Sequence, residues 1–519
     1  MFNSQSRTRN TIINAATGIR TQLTITLLQF ISRTFFIKYL GAPYLGINGL
    51  FSNILTMLSL TELGLDTAIN FKLYKPLADK DIPRLQVLMK FYKNAYLAVG
   101  SVILALGLSL IPFLPKIIKD YDSIIILGIN PVLIFLLYLA QSSGSYLFFA
   151  SKSAILKADQ KMAVTNRIRF IVTIVVTIGQ VASLVFFQNF ILYTAIGISS
   201  TILLNLITAQ IAVKQYPLVF KKTDERIDKA EVNSIFKDLG ALFIFKVNDV
   251  VKKATDNIIL SAFIGISIVG LYTNYVLFFT SILMFLNMLY GAVDGSMGNL
   301  FATETVEKRY KLFQIMNYVT VVIFGTSAVG IAVCADELLT TWIGSEYVIA
   351  GQFALLIGAE MYLHGLKQNL TQIRNASGVF RKMWYRPLVG IIINLVISIW
   401  LVHPLGIHGV IIGTLASDVF SNLLFDPPIV YKYSFSNIKP IHEYYWNNII
   451  YLIMLVLVFL LDSYLCKRIV VGYGWFSVAV HVIICAISVP LVFTVVFFRR
   501  HENQYLVNLI KNAIHRGTK

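Results

Sequence analysis

The feature that most constrains this chain is a succession of apolar runs, each about 18–28 residues long and nearly free of charge. At 1.5 Å of rise per residue, such a run crosses a hydrocarbon layer of about 30 Å as a helix. The runs show no period-two alternation, so they are not barrel strands. A backbone inside lipid must satisfy its own N–H and C=O groups, which leaves the helix. The 519 residues are 56% hydrophobic and only 13% charged, against roughly 25% charged in a soluble domain. The expected class is therefore an all-α polytopic membrane protein of about fourteen transmembrane helices. The spans are placed near 11–37, 47–71, 94–111, 123–150, 170–186, 194–213, 238–261, 271–294, 312–332, 349–366, 387–401, 411–431, 448–461 and 476–498.

The distribution of charge fixes the expected orientation. Of 44 Lys and Arg, 34 fall in the two tails and the even-numbered connections, and 5 in the odd-numbered ones. Positive loops stay cytoplasmic, so both termini are expected on that side of a cytoplasmic (inner or plasma) membrane. The net charge of +18 thus belongs to loops, not to a nucleic-acid surface. The polar, basic N-terminus lacks the apolar stretch of a signal peptide. Cys334, Cys466 and Cys485 form no CxxC pair and support neither a disulfide framework nor a metal site. No long outer loop carries a catalytic set and no Walker A motif is present, so an enzyme is not expected. No cofactor is expected beyond a coupling ion, H+ or Na+.

Five cations remain inside spans: Arg20 and Arg33 on the first, Lys246, Lys252 and Lys253 on the seventh. A charge at the bilayer centre costs from about 3 kcal/mol upward and normally faces a bundle interior or a wet cavity. On the seventh span Lys246, Asp249, Lys252, Lys253 and Asp256 share an arc of about 120°. Two readings stay open: a cavity-lining face, or a self-paired ladder of Lys246–Asp249 and Lys252–Asp256. Arg20 has Glu62 or Asp66 of the second span as candidate partners, and Arg33 lies near enough to the outer end to snorkel.

The ends of the first and seventh spans match: Gly41-x4-Gly46 and Gly265-x4-Gly270, 224 residues apart. With the cation-bearing helices these suggest duplication into two six-helix lobes with substrate held between them. The expected organisation is an N-terminal lobe 1–213, a cytoplasmic linker 214–237, a second lobe 238–431, an appended helix pair 445–498 and a cytoplasmic tail 499–519. Within the membrane the appended pair reads as carrying His481 alone. Further polar positions recur on helical faces: Ser59, Glu62, Asp66 and Asn70 on the second span, and Asp294 closing a seven-residue repeat on the eighth. Glu360, His364 and Lys367 follow one stripe of the tenth. Each is helix-to-helix glue or cavity lining, and Glu360 and His364 are candidates for proton coupling.

The runs FFIKYLGAPYLGINGLFSNILTMLSLTELGLDTAI (35–69), TDNIILSAFIGISIVGLYTNY (255–275) and LGIHGVIIGTLAS (405–417) resemble polysaccharide flippases of the multidrug/oligosaccharidyl-lipid/polysaccharide exporter superfamily. The resemblance implies a MATE-like pair of six-helix lobes around a cationic cavity, working by alternating access. Its implied substrate is an undecaprenyl-pyrophosphate-linked oligosaccharide for capsule, exopolysaccharide or O-antigen, handled beside the membrane lipids and the pathway's polymerase and glycosyltransferases. Arg20, Arg33, Lys246, Lys252 and Lys253 would meet the pyrophosphate, although the family favours arginine on these helices and lysine binds phosphate only as a point charge. In related lipid II flippases the last two helices form a groove for the lipid tail, a role the spans 448–461 and 476–498 would share. A cation-coupled multidrug exporter and a lipid II flippase are the alternatives.

Overall fold

The structure is a computed structural model that describes residues 7–59, 65–126, 128–148, 150–159, 161–225, 254–377, 385–436, 438–469 and 474–508, with a few isolated positions between them. Among the described residues the regular structure is entirely helical. Nine of the described helices are long and apolar enough to cross a membrane, ten if the bent pair Pro131–Leu147 and Ser151–Ala158 counts as one span. Each of the other segments expected to span also has helical residues at its place. Lys246, Asp249, Lys253 and Glu62 lie outside the described residues, as do the side chains of Asp66 and Asp294.

The chain packs as two compact units, residues 1–270 and 271–519. In the first, α1 (Arg7–Leu40) is followed by α2 (Ala42–Leu58), α3 (Leu65–Ala78), α4 (Ile82–Leu110), α5 (Pro131–Phe148), α6 (Met162–Ala182) and α7 (Phe190–Gln215). Helix α1 lies along α6, α6 along α7, and α4 and α7 both along α5. Leu73 and Leu77 of α3, Leu85, Leu88 and Tyr92 of α4, and Ala212 of α7 close into one core.

The helix ends follow their local chemistry. Pro83 sits in the first turn of α4, where its missing N–H costs nothing, and the Asp81 side chain accepts from the Arg84 N–H at 3.0 Å. Asp81→Ala is expected to cost about 1 kcal/mol and Asp81→Asn almost nothing. Thermal denaturation of the detergent-solubilised protein measures the difference.

The second unit holds the rest of α8 (Ile266–Thr303), then α9 (Val306–Ile343), α10 (Phe353–Ala376), α11 (Arg386–Leu405), α12 (Ile407–Asp418), α13 (Asp426–Ser434), α14 (His442–Ile469) and α15 (Trp475–Val496). A π-helical turn, Val419–Leu424, joins α12 to α13. Helix α9 is the centre of this unit, packed on α10, α14 and α15. An aromatic core of Tyr310, Phe313, Tyr431, Phe435 and Tyr444 ties α9, α13 and α14 together, with Phe313 stacked on Tyr444 at 5.8 Å.

Outward faces confirm the solvent. On α11, Leu388, Ile392, Val396 and Trp400 recur every four residues and are all exposed, a stripe that water would reject and lipid accepts. The chain is a multi-pass membrane protein.

Two sequence expectations need correction. The ninth span does not end near 332: α9 runs to Ile343, so Asp336 and Glu337 are helical rather than loop residues. The thirteenth does not end at 461: α14 runs from His442 to Ile469. Asp462, fully buried, therefore lies on the appended pair, which carries more than His481 alone.

Candidate functional site

The matched glycines of the repeat are local analogues. Gly41 (φ 81°) separates α1 from α2, and Gly265 (φ 143°) separates the helical residues 254–263 from α8. Both take positive φ, which a side chain resists. Their partners Gly46 and Gly270 meet where α2 crosses the first turn of α8. A Cβ on Gly46 would stand 2.0 Å from the Ile266 carbonyl oxygen, and one on Gly270 2.3 Å from that of Ala42.

Beside α2, the first unit holds a cavity of about 360 Å³ walled by α2, α5 and α7. Ser52, Thr56, Ser59, Ser142, Ser145 and Thr201 supply hydroxyls, Gln141 an amide, and Tyr138 and Tyr146 aromatic faces. The hydroxyls are ordered by one another. Ser59 Oγ is 3.1 Å from Ser142 Oγ, Gln141 Nε2 donates to Thr201 Oγ1 at 3.1 Å, and Asn205 donates to Ser145 Oγ at 3.0 Å. Tyr138 donates to Asn48. Among the described residues that wall this cavity none is charged. Such a surface offers donors and acceptors in short, turnable groups, with rings beside them.

Of the cations expected to line a site, Arg33 lies within electrostatic reach of Tyr193 and of Tyr138, which walls this cavity. Arg20, thirteen residues earlier on α1 and so about 20 Å away, is exposed, with its guanidinium 4.8 Å from the Phe170 ring centre. The two arginines are not brought together. Lys252 and Asp256, one helical turn apart, are both buried, at 5% and 2% exposure.

In the second unit, Glu360, His364 and Lys367 lie half-buried along α10. The His364 ring is packed between Phe279 of α8 and Phe324 of α9, at 6.0 and 6.4 Å. Lys367 contributes to the field around Asp426. A long apolar hollow of about 560 Å³ runs between α9, α10, the end of α12 and α14, bordered by Ala328, Gly358, Leu366, Leu415, Leu452 and Val456. Small residues on α9 and α10 make the room, and aliphatic ones on α14 make the opposite wall.

Sequence reasoning found Ser59 but not its neighbours in the hydroxyl cavity. Single Ser, Thr and Gln residues within apolar helices carry no spacing signal. Only packing of three helices brings them to one place.

No family model and no curated protein matches this chain. Solved structures do. An inward-facing multidrug resistance MATE family transporter of the MOP superfamily is similar with a TM-score of 0.62 at 15% identity, covering 82% of this chain and 100% of its own. The lipid II flippase MurJ, in an inward closed conformation, is similar with a TM-score of 0.61 at 13% identity, covering 94% of this chain and 99% of its own. The MATE multidrug transporter DinF-BH gives 0.58 at 13% identity, covering 83% and 97%. All three are transporters or flippases, and this chain shares their fold.

Proposed function

We propose that this protein is a flippase for a polyprenyl-pyrophosphate-linked oligosaccharide, moved across a cytoplasmic membrane by alternating access. The observation that carries the reading is a division of chemistry matched to an amphiphile. A neutral, hydroxyl-lined cavity sits in the first unit and a long apolar hollow in the second. Sugars present many hydroxyls to short polar side chains and flat CH faces to tyrosine rings. A polyprenyl tail needs only an apolar channel wide enough for branched isoprene units. Arg20, Arg33, Lys246, Lys252 and Lys253 are the proposed sources of positive charge for the pyrophosphate, as in the resemblance read from sequence. The orientation follows the basic loops, with both termini cytoplasmic.

The lipid II flippase match takes in 94% of the chain where the multidrug transporter matches take in 82% and 83%, which supports a lipid-linked substrate over a free drug. A drug cavity for cations would be lined by carboxylates. Among the described residues that wall the hydroxyl cavity none is a carboxylate.

The test uses proteoliposomes loaded with a fluorescent undecaprenyl-pyrophosphate oligosaccharide. Replacing two of the ordered hydroxyls, Ser59→Leu with Ser142→Leu, fills the cavity with apolar bulk and removes several sugar contacts of about 0.5–1.5 kcal/mol each. Flipping is expected to fall at least about tenfold, with protein yield unchanged. Undiminished flipping by the double variant, or export of cationic dyes in place of the lipid, would sink the proposal.

A further inference from the structure

The seam between α9, α14 and α15 carries a line of titratable groups that neither the hydroxyl cavity nor the apolar hollow uses. On α15, Ser477, His481, Cys485 and Ser488 recur at helical spacing, and each faces a partner. The Ser477 hydroxyl donates to Glu337 Oε1 of α9 at 2.5 Å, and His481 Nδ1 lies 2.5 Å from Glu337 Oε2. Cys485 Sγ is 3.9 Å from Cys334 Sγ of α9, and Ser488 donates to Asp462 Oδ2 of α14 at 2.6 Å. The sequence of α15 places His481 about 9 Å and Ser488 about 20 Å along the helix from its first residue, so the line descends well into the membrane.

Charge balance in this seam is incomplete. Three carboxylates stand around it. Asp336 turns toward α8 and accepts from the Tyr275 hydroxyl at 2.6 Å, while Glu337 and Asp462 face α15. Cys334, Cys466 and Cys485, all buried, are titratable groups beside them, and Tyr318 of α9 and Tyr451 of α14 lie further along the same seam, against Phe493 of α15. Lys467 and Arg468, at the end of α14, are exposed. Among the described residues no lysine or arginine pairs with Asp336, Glu337 or Asp462. At this end of the seam, among the described residues, His481 is therefore the one group beside Glu337 that can carry positive charge; Arg500 lies beyond the far end of α15, where it donates to Tyr451. His481 is 5% exposed, and its Nε2 has no hydrogen-bond partner.

The two states of the pair differ by one proton. With Nδ1–H donated to an ionised Glu337 and Nε2 bare, the pair carries −1. When Nε2 takes a proton from water, imidazolium and carboxylate sum to zero. An uncompensated charge in a buried seam costs several kcal/mol, whereas a neutral ion pair with its hydrogen bonds made costs far less.

We propose that Glu337 and His481 form a proton-binding site, and that loading and unloading it couples a proton gradient to the movement of α15 against α9. The coupling half of the proposal rests on the transport reading above; the proton site does not. It is separate from Glu360 and His364, which lie on α10 among aromatic rings.

The test has two arms. First, full-length protein carrying ¹⁵N-labelled histidine is titrated in nanodiscs across the range where imidazole exchanges its proton. Among the signals of the seven histidines, one that changes with pH is expected to vanish in His481→Gln and to be displaced in Glu337→Gln, while Glu337→Asp restores it. Second, flipping of the same fluorescent lipid is measured under an imposed pH gradient. Wild type is expected to respond by at least about fivefold, Glu337→Gln and His481→Gln to flip without regard to the gradient, and Glu337→Asp to recover the response. A titration curve identical in wild type and His481→Gln overturns the proton site, as does a response to sodium at fixed pH with none to protons. Gradient dependence unchanged in both glutamine variants overturns the coupling. If the histidine titrates but no lipid moves in wild type, the transport reading fails and the proton site stands.

Discussion

Asp426→Leu is expected to destabilise the protein by about 3–5 kcal/mol, the cost of breaking a buried charge network from one side. Asp426 opens α13 and is fully buried. Its Oδ1 lies 2.7 Å from Arg386 Nε at the start of α11, and its Oδ2 3.2 Å from Arg374 Nη1 at the end of α10. Arg386 Nε also donates to the Ser421 carbonyl in the π-helical turn at 2.8 Å. One carboxylate thus joins α10, α11, α13 and the turn before α13. Removing it leaves two guanidinium groups buried at 4% and 2% exposure, repelling each other and bereft of their common counter-ion. The loss is expected as a low thermal midpoint in detergent and as depleted protein in the membrane fraction. Replacing all three together, Arg374→Met, Arg386→Met and Asp426→Leu, is expected to restore most of the stability, because an apolar trio of similar volume has no charge to desolvate. A single Asp426→Leu variant as stable as wild type would show that the three charges are not energetically linked.

The network also illustrates what the sequence can and cannot convey. The membrane class was legible because lipid imposes a simple rule on length and polarity, and nine of the described helices obey it. Arg374 continues the stripe of Glu360, His364 and Lys367, Arg386 precedes the eleventh expected span and Asp426 falls within the twelfth, but nothing in their spacing links residues 52 and 40 positions apart. Asp336, Glu337 and Asp462 were read as loop residues for a physical reason. Hydropathy marks where lipid-facing residues stop, and α9 and α14 continue beyond that point by packing on other helices. A charged residue that caps an apolar run looks like a loop when its partner is 144 residues away, as Glu337 is from His481. Of the candidate site, the charges of α1 and of residues 246–256 could be picked out because charge inside an apolar run is conspicuous. The hydroxyl cavity could not, because serine and threonine are cheap in any membrane helix.

The glycine repeat is read in the sequence as a sign of duplication; the contact between its inner glycines comes from the structure, and it carries the second large effect. In a helix, Gly→Ala ordinarily stabilises by about 0.5–1 kcal/mol, since alanine restricts the unfolded chain. Gly291→Ala, in α8 with no atom within 4 Å of the new methyl, is expected to follow that rule. Gly46→Ala and Gly270→Ala are expected to reverse it. Their methyls would stand 2.0 Å and 2.3 Å from the carbonyl oxygens of Ile266 and Ala42, and a backbone oxygen has no rotamer by which to withdraw. The crossing of α2 with the first turn of α8 must widen instead, at a cost of about 1–3 kcal/mol for each substitution. Because Gly270 also faces the Gly46 amide, at 3.2 Å from the would-be methyl, one widening serves both changes, and the double variant should lose less than the sum of the singles. Thermal midpoints of the four proteins in one detergent decide the matter. If Gly46→Ala and Gly270→Ala rise with Gly291→Ala, the helices do not touch through their glycines, and the matched spacing at the two helix ends has no structural meaning.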